Sequence, residues 1–366
     1  MILKNKRRMP EQNVLDAFFV LLRAGLWGTT PDPAFFVSFT GMQWQALLAL
    51  AQKQAVLGLI YAGVSRLPKE LMPNQQLLLR LYGFSEQIRK SNAKIIAVAQ
   101  EVCSWFEEAG LEPIILKGMS VGAFYAEPDL RQPGDIDLFF HRDYEKVVDI
   151  VRHRGITVEL NANHDKFWYQ GVLIELHSQP FRPLYPIPDL DLSPIWQETN
   201  IGRFRVLNIK ANALLLLLHP AKHFMKEGLG LRQICDWVVF LKCNTGKSEI
   251  SEALEEMRRQ GASRFIVSLL AILVRYLGFE CNETEKYAID DRQMNRMLQL
   301  ILNRGNFGFE GKHFRNSSDW YRYYWELWQY IWKSYSFWPV YFWQIMPQRV
   351  FKRFKFIIQG KAIATN

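Results

Sequence analysis

The sequence predicts an α+β fold in which a small mixed β-sheet is flanked by helical regions toward both ends of the chain. Apolar residues recur every three or four positions before residue 110 and again after residue 208, as in helices that bury one face. Between these regions, short apolar runs end at glycine, proline or aspartate, as buried strands do. These two patterns place the sheet in the middle of the sequence.

The composition excludes several classes of protein. The chain has 366 residues, of which 49% are hydrophobic and 22% charged, so neither a disordered nor a membrane-embedded chain fits. Its longest apolar runs fall short of the ~20 residues of a membrane span. Four scattered cysteines form no metal-ligand or disulfide pattern, and Pro10 with polar neighbours interrupts any signal peptide. We therefore expect a soluble, cytoplasmic protein.

The net charge of +9 is concentrated at the two ends of the chain. Residues 1–8 carry four basic residues and no acid, and residues 312–366 carry nine basic residues against two acids. A partner that recognises positive charge is therefore expected at the ends rather than at the body of the protein.

The predicted elements follow in chain order. Helices are expected over residues 14–23, 44–57 and 77–106. Strands are expected over residues 113–116, 135–140, 156–160, 167–169 and 172–177, and helices over 119–125 and 144–154. Gln170-Gly171 is a suitable hairpin turn between the last two strands. Residues 209–304 return to helical periodicity, with one amphipathic stretch at 251–277.

These elements divide the chain into four predicted parts. They are an N-terminal helical region (1–88), a sheet-containing core (89–200), a C-terminal helical domain (201–311) and a basic, aromatic-rich segment (312–366).

The acid pair Asp135 and Asp137 is the first candidate for chemistry. Residues at positions i and i+2 of a strand point to the same face, so both carboxylates would lie together. Such hard oxygen ligands suit Mg²⁺. A second pair, Asp189 and Asp191, is flanked by prolines and is expected to cap or solvate a loop.

Glu175 is a third acid, within the otherwise apolar run 172–177. An acid there needs a partner, which a metal shared with Asp135 and Asp137 would supply. It could also serve as the base that activates an acceptor hydroxyl. The alternative interpretation is an edge strand on which Glu175 simply faces solvent.

Together these residues resemble the polymerase-β-type nucleotidyltransferase superfamily, and within it an uncharacterised bacterial branch. The matching segments are Leu116-Lys117-Gly118, Leu130-Arg131-Gln132-Pro133-Gly134-Asp135-Ile136-Asp137-Leu138 and Ile174-Glu175-Leu176-His177. The resemblance covers residues 90–240. It implies that the predicted core, 89–200, is a nucleotidyltransferase domain.

The resemblance also implies roles for individual residues. Asp135, Asp137 and Glu175 would be catalytic and would bind Mg²⁺ or Mn²⁺. A glycine turn at Gly118 would hold the triphosphate of an NTP, although Lys117-Gly118-Met119-Ser120 replaces the adjacent Gly-Ser of the superfamily. Lys117, Ser120 and Arg131 would assist in binding phosphate. A surface lysine at 117 and a solvated loop arginine at 131 are the alternatives.

Two further regions have open interpretations. His219, His223 and Asp236 are expected to serve packing or acceptor contacts rather than zinc binding, because Pro220 follows His219 and no HExxH glutamate is present. Residues 320–343 contain fourteen aromatic residues, including a helical stripe at positions 321, 325, 328, 332 and 335. This stripe could dock onto the body as core, lie in a membrane interface or bind nucleic acid through residues 320–361.

The sequence thus predicts a Mg²⁺-dependent enzyme that transfers a nucleoside monophosphate from an NTP to an acceptor hydroxyl and releases pyrophosphate. The acceptor stays open among a small molecule, a sugar, a protein and an RNA end. One alternative is a non-catalytic interaction protein that retains the fold and binds a partner, nucleic acid or membrane through its basic aromatic C-terminus. Another is metal-dependent phosphoester hydrolysis.

Overall fold

The structure is a computed structural model that describes residues 11–161, 164–199, 202–280, 290–306 and 320–344. Within these ranges it confirms the predicted α+β class, with helices on both sides of one six-stranded mixed sheet.

Within the described part of the chain, four α-helices precede the sheet: α1 (Gln12–Trp27), α2 (Gly41–Lys53), α3 (Leu57–Val64) and α4 (Gln75–Glu108). Helix α2 begins at a capping box, in which Thr40 and Gln43 satisfy each other's backbone amides. Helices α1 and α3 approach closely because Gly25 faces the Leu59 carbonyl, where an added Cβ would lie 1.9 Å from the oxygen. Only glycine permits that contact.

The sheet has the strand order β3-β4-β2-β1-β6-β5. Its strands are β1 (Ile114–Ile115), β2 (Ile136–Phe139), β3 (Asp165–Tyr169), β4 (Val172–His177), β5 (Pro194–Thr199) and β6 (Gly202–Leu207), with α5 (Gly118–Gly122) after β1 and α6 (Tyr144–His153) after β2. The predicted hairpin is confirmed, since Gln170 and Gly171 both have positive φ, as a type I′ turn requires. Strands β2 and β4 run parallel at the centre, so their residues share one register.

One strand prediction was wrong, and two strands were missed. Residues 156–160, all of them described, form one isolated bridge between Glu159 and Lys166 rather than a strand. Strands β5 and β6 were not predicted. Pro194 is compatible with β5 because it is the first residue of an edge strand, where a missing amide hydrogen costs no ladder bond. Asp189 and Asp191 lie in the loop that was predicted for them, and Asp191 Oδ1 accepts the Ser193 amide.

After the sheet come α7 (Ile209–Lys226), α8 (Leu231–Cys243), α9 (Ser248–Arg259), α10 (Ser263–Leu277), α11 (Asp291–Arg304) and α12 (Trp320–Ser334). The stretch 251–277, predicted as one amphipathic segment, is two helices because Gly261 turns the chain at φ +79°. Helices α1–α3 and α7–α12 share one large apolar core, and a second core lies between the sheet, α4 and α6. The boundaries of the four predicted parts stay a prediction.

Helix α12 docks onto the body, but not through the aromatic stripe, so the core alternative for that stripe is wrong. The buried residues of α12 are Leu327, Tyr330, Ile331 and Ser334, whereas Trp325, Trp328 and Trp332 of the stripe are exposed. Both faces repeat at helical spacing, so periodicity alone did not distinguish them. The Tyr321 side chain and residues 345–366 lie outside what the structure describes. Among the described helices, none combines the length and apolar character needed to cross a bilayer.

Candidate active site

A cleft of about 480 Å³ lies between the sheet and the first two helices that follow it, α7 and α8. Its sheet side is formed by the turn after β1, the start of β2 and the end of β4. Six of the seven predicted site residues line it, all except Ser120: Lys117, Gly118, Arg131, Asp135, Asp137 and Glu175. The fold thus brings into one cleft residues that are 58 positions apart in sequence.

Asp137 and Glu175 are neighbours because they pair in the register of the parallel strands β2 and β4. His177, two residues further along β4, points to the same face. Ligand atoms of Asp137, Glu175 and His177 all lie within 4.8 Å of one another. Strand β4 lies between β2 and β3, so the alternative in which Glu175 faces solvent on an edge strand is wrong.

Two histidines hold Glu175 and Asp137 in their ionised forms. His177 Nε2 lies 2.8 Å from Asp137 Oδ1 and 3.6 Å from Glu175 Oε2, and His164 Nε2 lies 3.2 Å from Glu175 Oε1. Burial opposes ionisation of both acids, but the histidine contacts and Lys117 keep the pKa of Glu175 and of Asp137 below its ordinary value. The same contacts raise the pKa of His177 against the effect of its burial.

Asp135 occupies a different environment from Asp137. It immediately precedes β2 and is exposed at the cleft, whereas Asp137 is buried. The cleft desolvates the Asp135 carboxylate and Asp137 repels it, which together raise its pKa to about 6. Asp135 and Asp137, both predicted metal ligands, therefore differ in burial and in the direction of their pKa shifts.

Lys117 is the cation nearest to these acids. Its Nζ atom lies 2.6 Å from Asp137 Oδ1 and 4.0 Å from Glu175 Oε2. Its backbone has φ +54° and ψ −127°, a conformation that favours glycine. Lys117 is therefore a largely buried cation among three carboxylates, and the alternative of a solvated surface lysine is wrong.

The glycine turn rests on a buried ion pair. The Arg131 guanidinium binds both carboxylate oxygens of Asp236 at 2.7 and 2.8 Å, and Tyr125 donates to the same carboxylate. A Cβ on Gly118 would lie 2.5 Å from Arg131 Nη2. Arg131 is therefore not a solvated loop residue, and Asp236 packs against it. Ser120 is buried, and its hydroxyl donates to the Lys117 carbonyl rather than facing the cleft.

The helical side of the cleft is cationic. Besides Arg232 on α8, its basic residues are Arg182 in the loop after β4 and four residues of α7, namely His219, Lys222, His223 and Lys226. Helix α7 continues through Pro220, so the His219 and His223 rings lie 4.3 Å apart. Burial and the neighbouring charges of Lys226 and Arg182 lower the pKa of Lys222 to about 8. Burial and nearby cations such as Lys117 also lower the pKa of His219.

Sequence reasoning assigned no role to His164 or His177. The alternation of β4 already placed His177 on the face of Glu175, so its position was accessible from the sequence. His164 precedes β3 in an irregular stretch with no periodicity, and only the tertiary structure brings its ring 5.2 Å from that of His177.

Comparison with models of known protein families assigns this chain to one of them. The model of an uncharacterised nucleotidyltransferase family matches residues 40–278, which is more than half of the chain. The protein belongs to this family. No curated protein matches the chain.

Two solved structures are similar to this chain. One is the antibiotic-resistance factor ANT(2'')-Ia, with 15% identity and a TM-score of 0.38, covering 47% of this chain and 95% of its own. The other is an antigenic nucleotidyltransferase-like protein from Paracoccidioides brasiliensis, with 15% identity and a TM-score of 0.32, covering 54% of this chain and 94% of its own.

Proposed function

We propose that the protein is a metal-dependent nucleotidyltransferase of the polymerase-β type, which transfers a nucleoside monophosphate from an NTP to an acceptor hydroxyl and releases pyrophosphate. The observation that carries this proposal is the convergence of Asp137, Glu175 and His177 beside the Lys117-Gly118 turn in one cleft. Family membership supports the reaction class.

The donor set at the sheet side fits a divalent cation. Two buried or half-buried carboxylates and a histidine offer ligand atoms within 4.8 Å, and Asp135 adds a carboxylate open to the cleft. Asp135, Asp137 and Glu175 would hold Mg²⁺ or Mn²⁺, with His177 as an additional contact. Bound there, the metal would neutralise charge on the phosphates during transfer.

The remaining residues bind and orient the substrates. Lys117 supplies a point charge to phosphate oxygens, and the backbone amides of the Gly118 turn can donate to them. Ser120 supports this turn through its hydrogen bond to the Lys117 carbonyl. Arg131 supports it from beneath Gly118. Glu175 binds metal or accepts the proton of the acceptor hydroxyl.

The cationic residues of α7 complete the charge distribution expected of such a cleft. Six lysine or arginine residues and four acids line it. Because one acid pairs with Arg131 and two contact Lys117, the α7 side presents positive charge. This arrangement favours polyphosphate and disfavours a polycationic acceptor.

The test is to incubate the purified protein with a cell extract, Mg²⁺ or Mn²⁺, and each NTP labelled at its α-phosphate. Transfer of the label to a molecule of the extract is then measured. We expect wild type to label an acceptor, and Asp135→Asn with Asp137→Asn to abolish labelling. The matched control is Asp189→Asn with Asp191→Asn, which alters the exposed loop pair of the same spacing and should retain activity.

Two outcomes would contradict the proposal. Label released as free nucleotide, with no labelled acceptor, would indicate phosphoester hydrolysis. Absence of both labelling and metal-dependent NTP binding would indicate a non-catalytic interaction protein that retains the fold.

A further inference from the structure

Helix α12 exposes a continuous aromatic surface that the proposed reaction does not use. We call Trp325, Trp328, Trp332 and Trp343 the tryptophan face; their exposed fractions are 58%, 49%, 41% and 62%. The opposite side of α12 is held by the body. Leu327 and Ile331 are buried there, and the Tyr330 hydroxyl donates to the Phe224 carbonyl on α7.

The four rings form one patch rather than scattered side chains. Trp325 and Trp328 are stacked with centroids 5.3 Å apart, and Trp332 lies 5.9 Å from Trp328. Phe342 connects Trp332 to Trp343, at 5.4 and 5.1 Å. Contiguous exposed aromatic surface of this kind is uncommon on soluble proteins and marks an interaction surface.

Positive charge borders this patch. Arg296 on α11 and Lys333 on α12 are exposed, and Arg296 Nη2 donates to the Lys333 carbonyl, which fixes its guanidinium beside α12. These two cations give the described border of the tryptophan face a charge that complements an anionic partner.

The ring geometry favours a lipid surface over nucleic acid. Binding of bases requires free aromatic faces on which they can stack. In the tryptophan face, Trp325 and Trp328 stack on each other with an interplanar angle of 19°, which occupies one face of each ring and leaves only the outer faces for bases. A membrane interface instead accommodates the whole amphipathic indole at the level of the headgroups, and lysine and arginine contact anionic lipids beside it.

We propose that the tryptophan face binds the surface of an anionic phospholipid membrane, with α12 lying parallel to that surface. This inference is independent of the reaction proposed above. Aromatic burial would supply the apolar part of the binding and the basic residues the electrostatic part, so neither phosphatidylcholine alone nor high salt should support full binding.

The experiment is flotation of the full-length protein with vesicles of phosphatidylcholine, with and without phosphatidylglycerol. We expect the protein to float with the anionic vesicles, and to be released in part by added salt. The variant Trp325→Gln/Trp328→Gln/Trp332→Gln should remain at the bottom of the gradient. Since it leaves the buried side of α12 unchanged, its thermal unfolding should match that of wild type.

The matched control is Trp168→Gln, which removes a tryptophan of similar exposure, 59%, on β3. It should float as wild type does. Trp343→Gln provides a second, milder variant and should reduce the floating fraction.

Three results would overturn the proposal. The first is that wild type does not float with anionic vesicles, and the second is that wild type and the triple variant float equally. The third is that wild type does not bind vesicles but binds a single-stranded RNA oligonucleotide, and that the triple variant loses this RNA binding. A wild-type dimer that becomes monomeric in the triple variant, without vesicle binding, would assign the face to a second copy of the chain.

Discussion

Lys117 Nζ lies 2.6 Å from Asp137 Oδ1, and the same lysine holds a backbone conformation that favours glycine. The side chain and the backbone of one residue therefore make opposing contributions: the ammonium neutralises a buried carboxylate, while the turn stores strain.

Substitutions of Lys117 can separate these two contributions. Lys117→Gly and Lys117→Met both remove the ammonium, so both should lose nucleotidyl transfer by about 10²–10³-fold. Glycine also relieves the strained turn, so Lys117→Gly should unfold at higher urea than Lys117→Met, by about 1 kcal/mol. Equal stabilities of the two variants would show that the turn is unstrained.

The contact of Gly118 with Arg131 predicts a steric effect. Gly118→Ala places a Cβ 2.5 Å from the Arg131 guanidinium. Both carboxylate oxygens of Asp236 bind this guanidinium, so Arg131 cannot move away from the new Cβ without weakening the ion pair. We expect a loss of about 1–3 kcal/mol in the free energy of unfolding and weaker NTP binding. Gly122→Ala, in the same short helix with no atom within 4 Å, is the control and should be neutral or slightly stabilising.

The buried ion pair beneath the turn predicts a large change in stability. Asp236→Asn removes the partner of a buried guanidinium and should cost about 3–5 kcal/mol in the free energy of unfolding. Glu252→Gln, which removes one partner of the exposed Lys210–Glu252 pair, should change it by less than about 0.5 kcal/mol. Denaturant titration of both variants measures the difference. Similar values for the two would mean that the Arg131–Asp236 pair is solvated in solution.

Lys222 predicts the pH dependence of anion binding. Its pKa is about 8, so the side chain is charged below that pH and becomes neutral as the pH rises through it. Affinity for inorganic tripolyphosphate should therefore fall from about pH 7 to about pH 9. Calorimetry of wild type and Lys222→Met tests this, because the variant should bind more weakly at low pH and show a smaller decline. A parallel decline in both proteins would assign the effect to another group.

The sequence predicted the sheet side of the cleft better than the helical side. Strand alternation predicted that Asp135 and Asp137 share a face, and a shared metal was expected to join Glu175 to them; the structure brings Asp137 and Glu175 together through the β2–β4 register. The roles of these residues stay predictions. The pairing of Arg131 with Asp236 spans 105 positions, and no local pattern specifies a contact of that range. His164 was missed because it precedes β3 in an irregular stretch with no periodicity.

Helix α12 shows a different limit of sequence reasoning. Periodicity identified the helix but left open whether the aromatic stripe is core or surface, because its buried and exposed sides both carry large apolar residues at helical spacing. Which side is buried depends on the shape of α7 and α11, which α12 contacts, and that shape is a property of the assembled core.

The two walls of the cleft come from separate stretches of the chain. The acids near the Lys117 turn all precede residue 178, whereas the cationic residues of α7 and the Asp236 carboxylate follow residue 208. A polypeptide cut between these stretches would yield two fragments, one holding the acidic half and the other the basic half. Neither would contain a complete cleft, and only their reassociation could restore it.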